Sequence, residues 1–411
     1  QGHGVAIPDL RSATVEDALE HKDEYEPDVA RVLELRQLLS KASIKKYSTV
    51  VTTMCEDGRI RGLLQFYGAN RTGRWAERLV QVQNLPRTYL HGAMLDTARD
   101  LTRRKLPEGL ELLYGSVPGT LSQLVRTALV PRPGCKFVDA DFSAIEARVV
   151  AWLAGEEWVL QVFRTHGKIY EATASQMFGV PLDRIVKGNP EYALRQKGKV
   201  ATLALGYQGG SSALIAMGAL KNGLTEEELP DIVSRWRQAN RAIVRCWKAV
   251  EQAAIQAVET GRSCATHGLV FAREADIDSG LDFLTIRLPS GRKLYYAQPH
   301  FGVNQWGGKQ LRYYGMNQMT KKWSVVETYG GHMTENIVQA IARDCLAVNI
   351  ERLENAGFPI VFHIHDEVVI EVPEDRADLD EVTRIMGQPV EWAPGLPLAA
   401  DGWVGDYFTK D

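Results

Sequence analysis

The sequence predicts an α+β protein in which helical segments alternate with short strands that lie far apart in the chain. Apolar residues spaced three and four apart predict a helix over residues 28–46 and another after Ser143. Runs rich in β-branched residues, CKFVDAD and PIVFHIHDEVVIEV, predict strands instead. Because these strands are so distant in sequence, we expect them to pair in one mixed sheet with helices packed around it.

The same sequence patterns predict helices and strands in the segments before and between these strands. The predicted helix over residues 28–46 is DVARVLELRQLLSKASIKK, and the strand-like pieces after it carry a turn at Asp57-Gly58. We expect these early strand pieces to join the mixed sheet. Residues from about 166 to 325 are helix-rich, with strand segments near Leu284 to Tyr296.

A boundary between strand and helix carries the first candidate residues. In CKFVDADFSAIEARVVAWLAG, a short apolar run ends at Asp139 and Asp141, so Asp141 lies at a strand end. Ser143 is a residue type that caps helices, and Glu146 three residues later completes a capping-box pattern. The segment therefore predicts a strand, a tight turn and a capped helix.

A second candidate segment is RQKGKVATLALGY, which predicts a helix with one chemically distinct face. Arg195, Lys199, Leu203 and Tyr207 recur every four residues, so a helix would place them on one side. The two cations can neutralise phosphate oxygens, and the other two side chains offer an apolar or flat surface to a base and sugar. The pattern indicates nucleotide binding, although a basic pair at this spacing also occurs on solvated helix faces.

The third candidate segment is a hairpin with an acidic turn. In PIVFHIHDEVVIEV, two β-branched strands are joined at His365, Asp366 and Glu367. Acidic residues are common in such turns for reasons of solvent exposure alone. The meaning of this turn therefore depends on what it faces in the fold.

These segments together resemble those of family A DNA polymerases, which include bacterial DNA polymerase I and many phage replicases. DFSAIEAR is similar to the family's motif A, RQKGKVATLALGY to its motif B helix, and HDE to its motif C. GRWAERLVQVQNLP, Gly73 to Pro86, resembles the family's template-primer segment, and ENIVQAIARD places Gln339 at the position of a minor-groove glutamine. The resemblance covers nearly the whole chain. It implies a right-hand polymerase with a mixed palm sheet, helical fingers and a truncated thumb.

The resemblance implies DNA synthesis by a two-metal mechanism. Asp141 and Asp366 are the implied metal ligands, together with the backbone carbonyl of Phe142, for two Mg²⁺ ions or for Mn²⁺ in their place. Mg²⁺ prefers carboxylate and phosphate oxygens, and two ions ~3.5–4 Å apart would stabilise both the entering and the leaving oxygen. Glu367 is a further candidate catalytic residue, although a glutamate with a purely structural role would look identical in the sequence.

The motif B match implies contacts with the incoming nucleotide. Arg195 and Lys199 would hold the triphosphate, and Lys199 would also give a proton to the departing pyrophosphate. Glu146 with Tyr207 is similar to the family's sugar gate, which rejects a ribose 2′ hydroxyl. The capping box remains the alternative role for Glu146.

Three positions depart from the family pattern. Leu203 stands where the family usually has an aromatic residue, Tyr170 where it often has a histidine near the triphosphate, and Glu335 where asparagine is common. Leu203 and Tyr170 are nevertheless candidate nucleotide-binding residues. A tyrosine can still donate a hydrogen bond, whereas leucine offers neither a ring nor a hydroxyl.

The remaining matches imply DNA contacts. The candidate DNA-binding residues are Arg74, Gln83, Asn84, Gln339 and His365. The family match places Arg74 in the minor groove beside the primer end. The implied partners are primer-template DNA and deoxynucleoside triphosphates.

The resemblance also implies a division of the chain. Residues 1–43 would be a thumb remnant, 44–165 the first part of the palm, 166–325 the fingers and 326–411 the second part of the palm. The chain opens at Gln1 in a segment that resembles the end of a thumb. We therefore expect a fragment or a compact enzyme of phage type, with a missing N-terminal portion or an accessory replication protein as a further partner.

Composition limits the class without deciding the function. With 45% hydrophobic and 24% charged residues, the chain can bury a large core, which excludes a disordered protein. Its net charge of −3 gives no support for DNA binding by itself. The five cysteines show no CxxC spacing, and no membrane or targeting segment is evident, so we expect a cytoplasmic protein of a bacterial or phage-infected cell.

Two other classes of function stay open at this point. A two-metal nuclease or other phosphotransferase would use the same carboxylates but has no need of the Arg195 to Tyr207 pattern. A catalytically silent DNA-binding module would have no need of both aspartates.

Overall fold

The computed structural model describes residue 7 and residues 9–39, 45–278, 280–304, 307–317 and 320–409. Its helices are α1 (Ser12–Glu20), α2 (Pro27–Leu39), α3 (Lys45–Thr53), α4 (Gly92–Arg103), α5 (Pro107–Tyr114), α6 (Val117–Leu124), α7 (Ile145–Ala154), α8 (Glu157–Thr165), α9 (Ile169–Phe178), α10 (Leu194–Leu205), α11 (Ser211–Ala216), α12 (Leu229–Ala239), α13 (Arg241–Thr260), α14 (Gly330–Asn355) and α15 (Leu379–Met386). Its strands are β1 (Leu64–Ala69), β2 (Arg74–Glu77), β3 (Cys135–Phe142), β4 (Cys264–Thr266), β5 (Leu269–Ala275), β6 (Asp282–Arg287), β7 (Lys293–Val303), β8 (Lys309–Met316), β9 (Trp323–Glu327), β10 (Ile360–Ile364), β11 (Glu367–Pro373) and β12 (Ala400–Gly405).

The central sheet has four strands in the order β10-β11-β3-β12. The α+β class is confirmed, but the expectation of mixed strand directions is wrong, because each neighbouring pair in this sheet is antiparallel. β11 runs back along β3 from Glu367 opposite Asp141 to Pro373 opposite Cys135. Antiparallel pairing brings the start of β11 beside the end of β3, whereas parallel pairing would hold these two points a strand length apart.

The early strands do not join the central sheet, which corrects the second expectation about it. β1 and β2 form their own two-stranded antiparallel sheet. This hairpin packs on the central sheet through side chains, with the Trp75 ring 4.6 Å from the His363 ring in an edge-on contact. The turn at Asp57-Gly58 is present and is closed by an isolated bridge between Met54 and Ile60.

The helix predicted over residues 28–46 is confirmed as far as Leu39, where α2 ends. Residues 40–44 lie outside the described part of the chain, and a separate helix, α3, begins at Lys45. Helices α1 and α2 share a small core around Val15, Ala18 and Leu33. None of the described helices combines the length and the apolar character that a bilayer-spanning helix requires.

The helix-rich character predicted up to residue 325 ends at Thr260, the last residue of α13. Strands β4 to β9 form a six-stranded antiparallel sheet in which the strands neighbour one another in chain order. The strand segments expected near Leu284 to Tyr296 are part of this sheet. One face is buried and the other is exposed: Leu294 and Tyr296 are buried, whereas Tyr295 between them is exposed. That alternation is the ordinary signature of a half-buried antiparallel strand.

The main hydrophobic core joins the central sheet to the helices on one side of it. Val138, Ala140 and Ile370 project from the sheet into this core. The rings of Trp236 and Trp247 stack within it, with centroids 6.1 Å apart and planes 5° from parallel. Helix α14 has 26 residues and runs through this core, so it connects the six-stranded sheet to the hairpin β10–β11. The site residues carried by α14 are therefore held on a rigid element.

Candidate active site

Two acidic residues from distant segments meet at one edge of the central sheet. Asp141 is the cross-strand partner of Glu367, and the amide of Phe142 donates a hydrogen bond of 3.1 Å to the carbonyl oxygen of Asp366. His365 has a positive φ of 48°, which turns β10 into β11 at this point. The backbone ladder thus fixes Asp141, Phe142 and Asp366 relative to one another.

A third acidic residue, which the sequence analysis missed, lies on the other side of β3. Asp401 of β12 is the second cross-strand partner of Asp141. Gly402 permits this close approach, because a Cβ atom there would lie 1.8 Å from the carbonyl oxygen of Asp139. The Asp401-Gly402 pair is typical of a turn, so the sequence did not predict a strand here.

The oxygen donors at this edge suit a hard divalent cation. Two carboxylates and a backbone carbonyl are the donor types that Mg²⁺ prefers. In the described ranges, no three or more His, Cys, Asp or Glu side chains are grouped so as to hold a metal ion. Mg²⁺ usually keeps several waters and takes further ligands from the phosphates of a substrate. Asp141, Asp366 and the Phe142 carbonyl therefore fit a metal ion that is bound jointly with a nucleotide.

Glu367 has surroundings unlike those of its neighbour Asp366. Its residue exposure is 2%, and its charge acts on the buried guanidinium of Arg126. Arg126 donates hydrogen bonds of 2.7 and 2.9 Å to the carbonyl oxygens of Leu85 and Pro86. Burial lowers the pKa of Arg126, and the Glu367 charge partly opposes that shift. The Glu367 charge therefore acts toward Arg126, which is hydrogen-bonded to the QNLP segment.

Glu146 connects the motif A segment to two other parts of the site. One of its carboxylate oxygens accepts a hydrogen bond of 2.6 Å from the guanidinium of Arg74. The other accepts one of 2.9 Å from the hydroxyl of Tyr207. Both oxygens therefore have a protein donor, and the predicted pairing of Glu146 with Tyr207 is present in the structure.

The capping-box alternative for Glu146 is wrong. Helix α7 begins one residue later than predicted, with Ala144 at the N-cap in the left-handed region and no side-chain cap. The amide of Ser143 donates a hydrogen bond of 2.9 Å to the carbonyl oxygen of Ala399. Ser143 therefore lies in the turn that follows β3, and its amide is bonded to the segment before β12.

Tyr207 lies beyond the helix that was predicted to carry it. Helix α10 ends at Leu205, so the predicted face holds Arg195, Lys199 and Leu203 only. The indole N–H of Trp247 donates a hydrogen bond of 2.9 Å to the carbonyl of Gly206, which fixes the turn before Tyr207. Burial first, and the Glu146 charge second, raise the pKa of Tyr207 well above its usual value. The phenol is therefore a hydrogen-bond donor at neutral pH.

The predicted triphosphate-binding residues form one cluster between α9 and α10. The Arg195 guanidinium lies 5.4 Å, and the Lys199 ammonium 5.8 Å, from the centre of the Tyr170 ring. Glu171, which the sequence analysis did not assign, accepts a hydrogen bond of 2.8 Å from Arg195. Gly198 makes the close packing possible, because a Cβ there would lie 2.2 Å from the carbonyl oxygen of Tyr170.

A cavity of about 430 Å³ lies between α7, α10 and α14. This volume is within the range of small-molecule sites. The predicted site residues that line it are Glu146, Tyr170, Leu203, Tyr207, Gln339 and Asp366. Leu203 is 47% exposed, so its side chain is available to a ligand. Asp141, Arg195 and Lys199 do not belong to the lining.

The predicted DNA-binding residues are divided between two places. Arg74, Gln83 and His365 line a narrow cleft between β2 and the β10–β11 hairpin. Gln339 lines the larger cavity instead. Asn84 is exposed and lines neither.

Glu335 places a second carboxylate close to Glu146. It accepts a hydrogen bond of 3.3 Å from the amide of Gln339 and lines the cavity. Burial and then the Glu146 charge raise the pKa of Glu335, whereas Arg74 and Arg71 lower it. The departure from asparagine therefore changes the charge of this pocket.

A buried ionic network in α14 was also missed by the sequence analysis. Asp344 accepts hydrogen bonds from Ser290 at 2.5 Å, from Arg292 at 2.8 Å and from Arg343 at 3.2 Å. The Arg343 guanidinium lies 4.2 Å from the centre of the Trp75 ring. The network fastens α14 to the six-stranded sheet and to the β1–β2 hairpin. The sequence signal for this network was the adjacent Arg343-Asp344 pair inside an apolar helix.

The central sheet carries acidic residues at its strand ends, and helix α10, on the other side of a nucleotide-sized cavity, carries cations. This arrangement defines a right-hand polymerase core as the class of this protein. The model of DNA polymerase family A matches residues 8–269. The chain belongs to this family, as the sequence motifs predicted. Members of the family depend on metal ions.

Individual relatives agree with this assignment. The chain is 54% identical over 409 residues to the DNA polymerase of Bacillus phage SP02, which covers 99% of this chain and 61% of that protein. It is 26% identical over 293 residues to the thermostable DNA polymerase I of Thermus aquaticus, covering 70% of this chain and 28% of that protein. The chain thus spans about three fifths of the length of the phage relative.

A solved structure shows the same fold. The POL domain of Pol1 from M. smegmatis, determined in complex with DNA primer-template and dNTP, has a TM-score of 0.59 to this chain at 18% sequence identity. The match covers 97% of this chain and 56% of that one. At this identity the likeness concerns the fold alone.

Proposed function

We propose that this chain is a template-directed DNA polymerase core that adds deoxynucleotides to the 3′ end of a primer. The observation that carries the proposal is the junction of β3 and β11, where the backbone ladder holds Asp141 next to Asp366, and Asp366 lines the cavity. Nucleotidyl transfer joins two anions, so it needs cations at the reacting phosphate. Carboxylates held rigidly beside a nucleotide-sized cavity meet that need.

Asp141, Asp366 and the carbonyl of Phe142 are the residues that would hold the metal ions. Two Mg²⁺ ions, or Mn²⁺ in their place, would neutralise the charge on the attacking oxygen and the triphosphate when bound there. The backbone ladder keeps the two carboxylates in a fixed relation during the reaction. Pre-organised ligands of this kind avoid the cost of rearrangement in the transition state.

The cations of α10 would hold the triphosphate. Arg195 offers a planar fork of donors, and Lys199 offers a point charge one helical turn further on. Lys199 would donate a proton to the pyrophosphate oxygen as it leaves, since its ammonium group can lose a proton whereas the Arg195 guanidinium stays protonated. Tyr170 would add a neutral hydrogen-bond donor between the two cations.

The pairing of Glu146 with Tyr207 supports selection of the deoxyribose sugar. Each oxygen of Glu146 already accepts a hydrogen bond from the protein. These hydrogen bonds hold the carboxylate and the ring in place, so a ribose 2′ hydroxyl placed against this pair would meet a fixed obstacle and lose its hydrogen bonds to water. Both effects disfavour the ribonucleotide.

Primer-template DNA and deoxynucleoside triphosphates are the proposed partners. Arg74, Gln83 and His365 would contact the duplex near the primer end, and Gln339 would contact the terminal base pair from the cavity. We retain the division into a thumb remnant (1–43), palm (44–165 and 326–411) and fingers (166–325) as a proposal. A further N-terminal portion or an accessory protein, and a cytoplasmic site of action, are part of the same proposal.

Primer extension beside a nuclease control tests this function. The purified chain is given a labelled recessed primer-template, with each deoxynucleotide in turn and with Mg²⁺. We expect addition of the template-complementary nucleotide only, and none after chelation of the metal. A labelled duplex without nucleotides serves as the control. Trimming of that duplex without any extension would contradict the proposal and would favour a two-metal nuclease.

A further inference from the structure

The outer face of the six-stranded sheet exposes aromatic and apolar side chains along its last two strands. Tyr314 is the cross-strand partner of Val325, and Met316 is the partner of Trp323. Direct partners in an antiparallel pair lie on the same face, so all four side chains project to the same side. Tyr314 is 36% exposed and Trp323 is 60% exposed. A strip of this kind on an open sheet marks a binding surface.

Basic side chains lie at both ends of this strip. Lys321 and Lys322 are exposed in the turn that leads directly into Trp323. At the other end, Arg312 is the cross-strand partner of His300, whose ring lies 5.7 Å from the Tyr314 ring. The outer face also carries an acidic residue, Glu327, which forms an ion pair of 2.8 Å with Arg312. The lysine turn is therefore the main source of positive charge.

The local charge of this region is opposite to that of the whole chain. Residues 282–327 contain seven Lys or Arg side chains and two Asp or Glu side chains, a formal charge of +5, whereas the chain carries −3. Arg292, Lys293, Lys309 and Arg312 form ion pairs with acidic side chains, so Lys321 and Lys322 in the exposed turn carry the charge that would attract a polyanion to this face.

The strip is continuous with the candidate active site. Only residues 328 and 329 separate β9 from α14, which carries Glu335 and Gln339 into the cavity. The guanidinium of Arg71 donates a hydrogen bond of 3.2 Å to the carbonyl of Met316 and lies 3.3 Å from the His332 imidazole on α14. At the start of α14, the amide of Gly331 donates a hydrogen bond of 2.9 Å to the side chain of Gln208, the residue after Tyr207.

We propose that this face binds the unpaired template strand ahead of the primer end. This inference rests on the proposed polymerase function. Bases would stack on Tyr314 and Trp323, and phosphates would contact Lys321 and Lys322. Aromatic side chains beside basic ones are the usual means of binding single strands without sequence preference. A duplex keeps its bases stacked inside, so it would gain from the lysines but not from the exposed rings.

Binding measurements on two DNA substrates test the proposal. Both share one primer-template duplex, but one carries a 5′ template overhang of about 12 nucleotides, a length within the range of single-strand sites, and the other an overhang of a single nucleotide. Fluorescence anisotropy is recorded without nucleotide or Mg²⁺. The variants are Tyr314→Ala with Trp323→Ala, and Lys321→Ala with Lys322→Ala.

We expect the aromatic variant to bind the long-overhang DNA about 5- to 100-fold more weakly than the wild type, the range that loss of base stacking produces. The lysine variant should also bind it more weakly, because it loses phosphate contacts. Binding of the short-overhang DNA should not change for the aromatic variant. Ile277→Ala is the matched apolar control, because this residue is 96% exposed in the turn between β5 and β6. Lys221→Ala with Lys248→Ala is the matched charge control, since both lysines are exposed on helical segments. Neither control should alter either affinity.

Two results would overturn the proposal: wild-type affinity of both variants for the long overhang, or an equal loss on both substrates in the aromatic variant. Thermal unfolding shows whether the aromatic variant is folded. If it is not, the affinity of the lysine variant for the long-overhang DNA decides the test, because its substitutions lie in an exposed turn. Failure of the polymerase function would appear separately, as absence of extension on the short-overhang substrate by the wild type. In that case the binding measurements would still show whether the variants lose affinity for the long-overhang DNA.

Discussion

The two sides of the candidate active site are built in different ways. Asp141 and Asp366 are positioned by backbone pairing between β3 and β11, which continues over seven consecutive residue pairs. Lys199 and Arg195 are positioned by side-chain contacts with α9 and are partly exposed. The acidic side cannot shift without disrupting the sheet, whereas the cationic side can adjust to a ligand. Substitutions should therefore abolish the reaction on the acidic side and weaken or redirect it on the cationic side.

The largest effect on the cationic side should come from Lys199→Ala. Loss of the ammonium would remove both the proposed phosphate contact and the proposed proton donor, so we expect the rate of single-nucleotide addition to fall about 10²- to 10³-fold. Lys197→Ala is the matched control on the same helix, where the ammonium lies 3.9 Å from a Glu228 oxygen. Similar losses of rate in both variants would mean that the positive charge of α10 matters but the particular position of Lys199 does not.

A smaller effect should follow from Glu146→Ala. Removing this carboxylate opens space at the sugar and leaves Tyr207 without its acceptor, so the ratio of ribonucleotide to deoxynucleotide incorporation should rise about 10- to 100-fold. Tyr207→Phe removes the hydroxyl but keeps the ring, and should raise the ratio less. An unchanged ratio in Glu146→Ala would mean that the carboxylate only positions Arg74.

Leu203 offers a finer test of how the cationic helix meets the nucleotide. A tyrosine hydroxyl there could hydrogen-bond where a dideoxynucleotide lacks its 3′ hydroxyl, a gain of about 1 kcal/mol, or roughly fivefold in the ratio of dideoxynucleotide to deoxynucleotide incorporation. We expect Leu203→Tyr to show this rise. Leu203→Phe supplies the ring alone and should leave the ratio near that of the wild type. Equal ratios in all three proteins would place Leu203 away from the nucleotide.

The smallest predicted effect concerns pH and Glu335. Its pKa is raised in the folded chain by burial and by Glu146, so its contribution to stability is present at low pH and is lost as pH rises through that raised pKa. Glu335→Gln keeps the neutral form at every pH. Its Tm should match the wild type near pH 4 and exceed it by about 1–2 °C at pH 8. A constant difference across this range would contradict the assigned cause.

The sequence predicted those parts of the site that depend on local pattern. Asp141 at a strand end, Asp366 in a hairpin turn and Lys199 on a helix each follow from spacing within a few residues, and the structure places each on the predicted kind of element. Their meeting could not be derived from spacing, because it depends on pairing between β3 and β11. The family motifs supplied that step.

The features that were missed or wrong depend on contacts between distant segments. Asp401 enters the site because β12 closes on β3, and Arg126 matters because it reaches the carbonyls of the QNLP segment. Ser143 is a good capping residue in isolation, but its backbone bond to Ala399 holds it in the turn between β3 and α7. Local propensity is a weak guide wherever such tertiary bonds compete with it.

The central claim is that Asp141 and Asp366 act as one unit, and a mutant cycle tests it most directly. The single-turnover rate of nucleotide addition is measured for Asp141→Ala, Asp366→Ala and the double variant, with circular dichroism to check that each protein is folded. Each single substitution should lower the rate by roughly 10³-fold or more, because it would remove a proposed ligand of the metal ions. The double variant should be no slower than the single variants, since the unit is already disabled. Losses that multiply in the double variant, or a single variant that keeps the wild-type rate, would contradict the account.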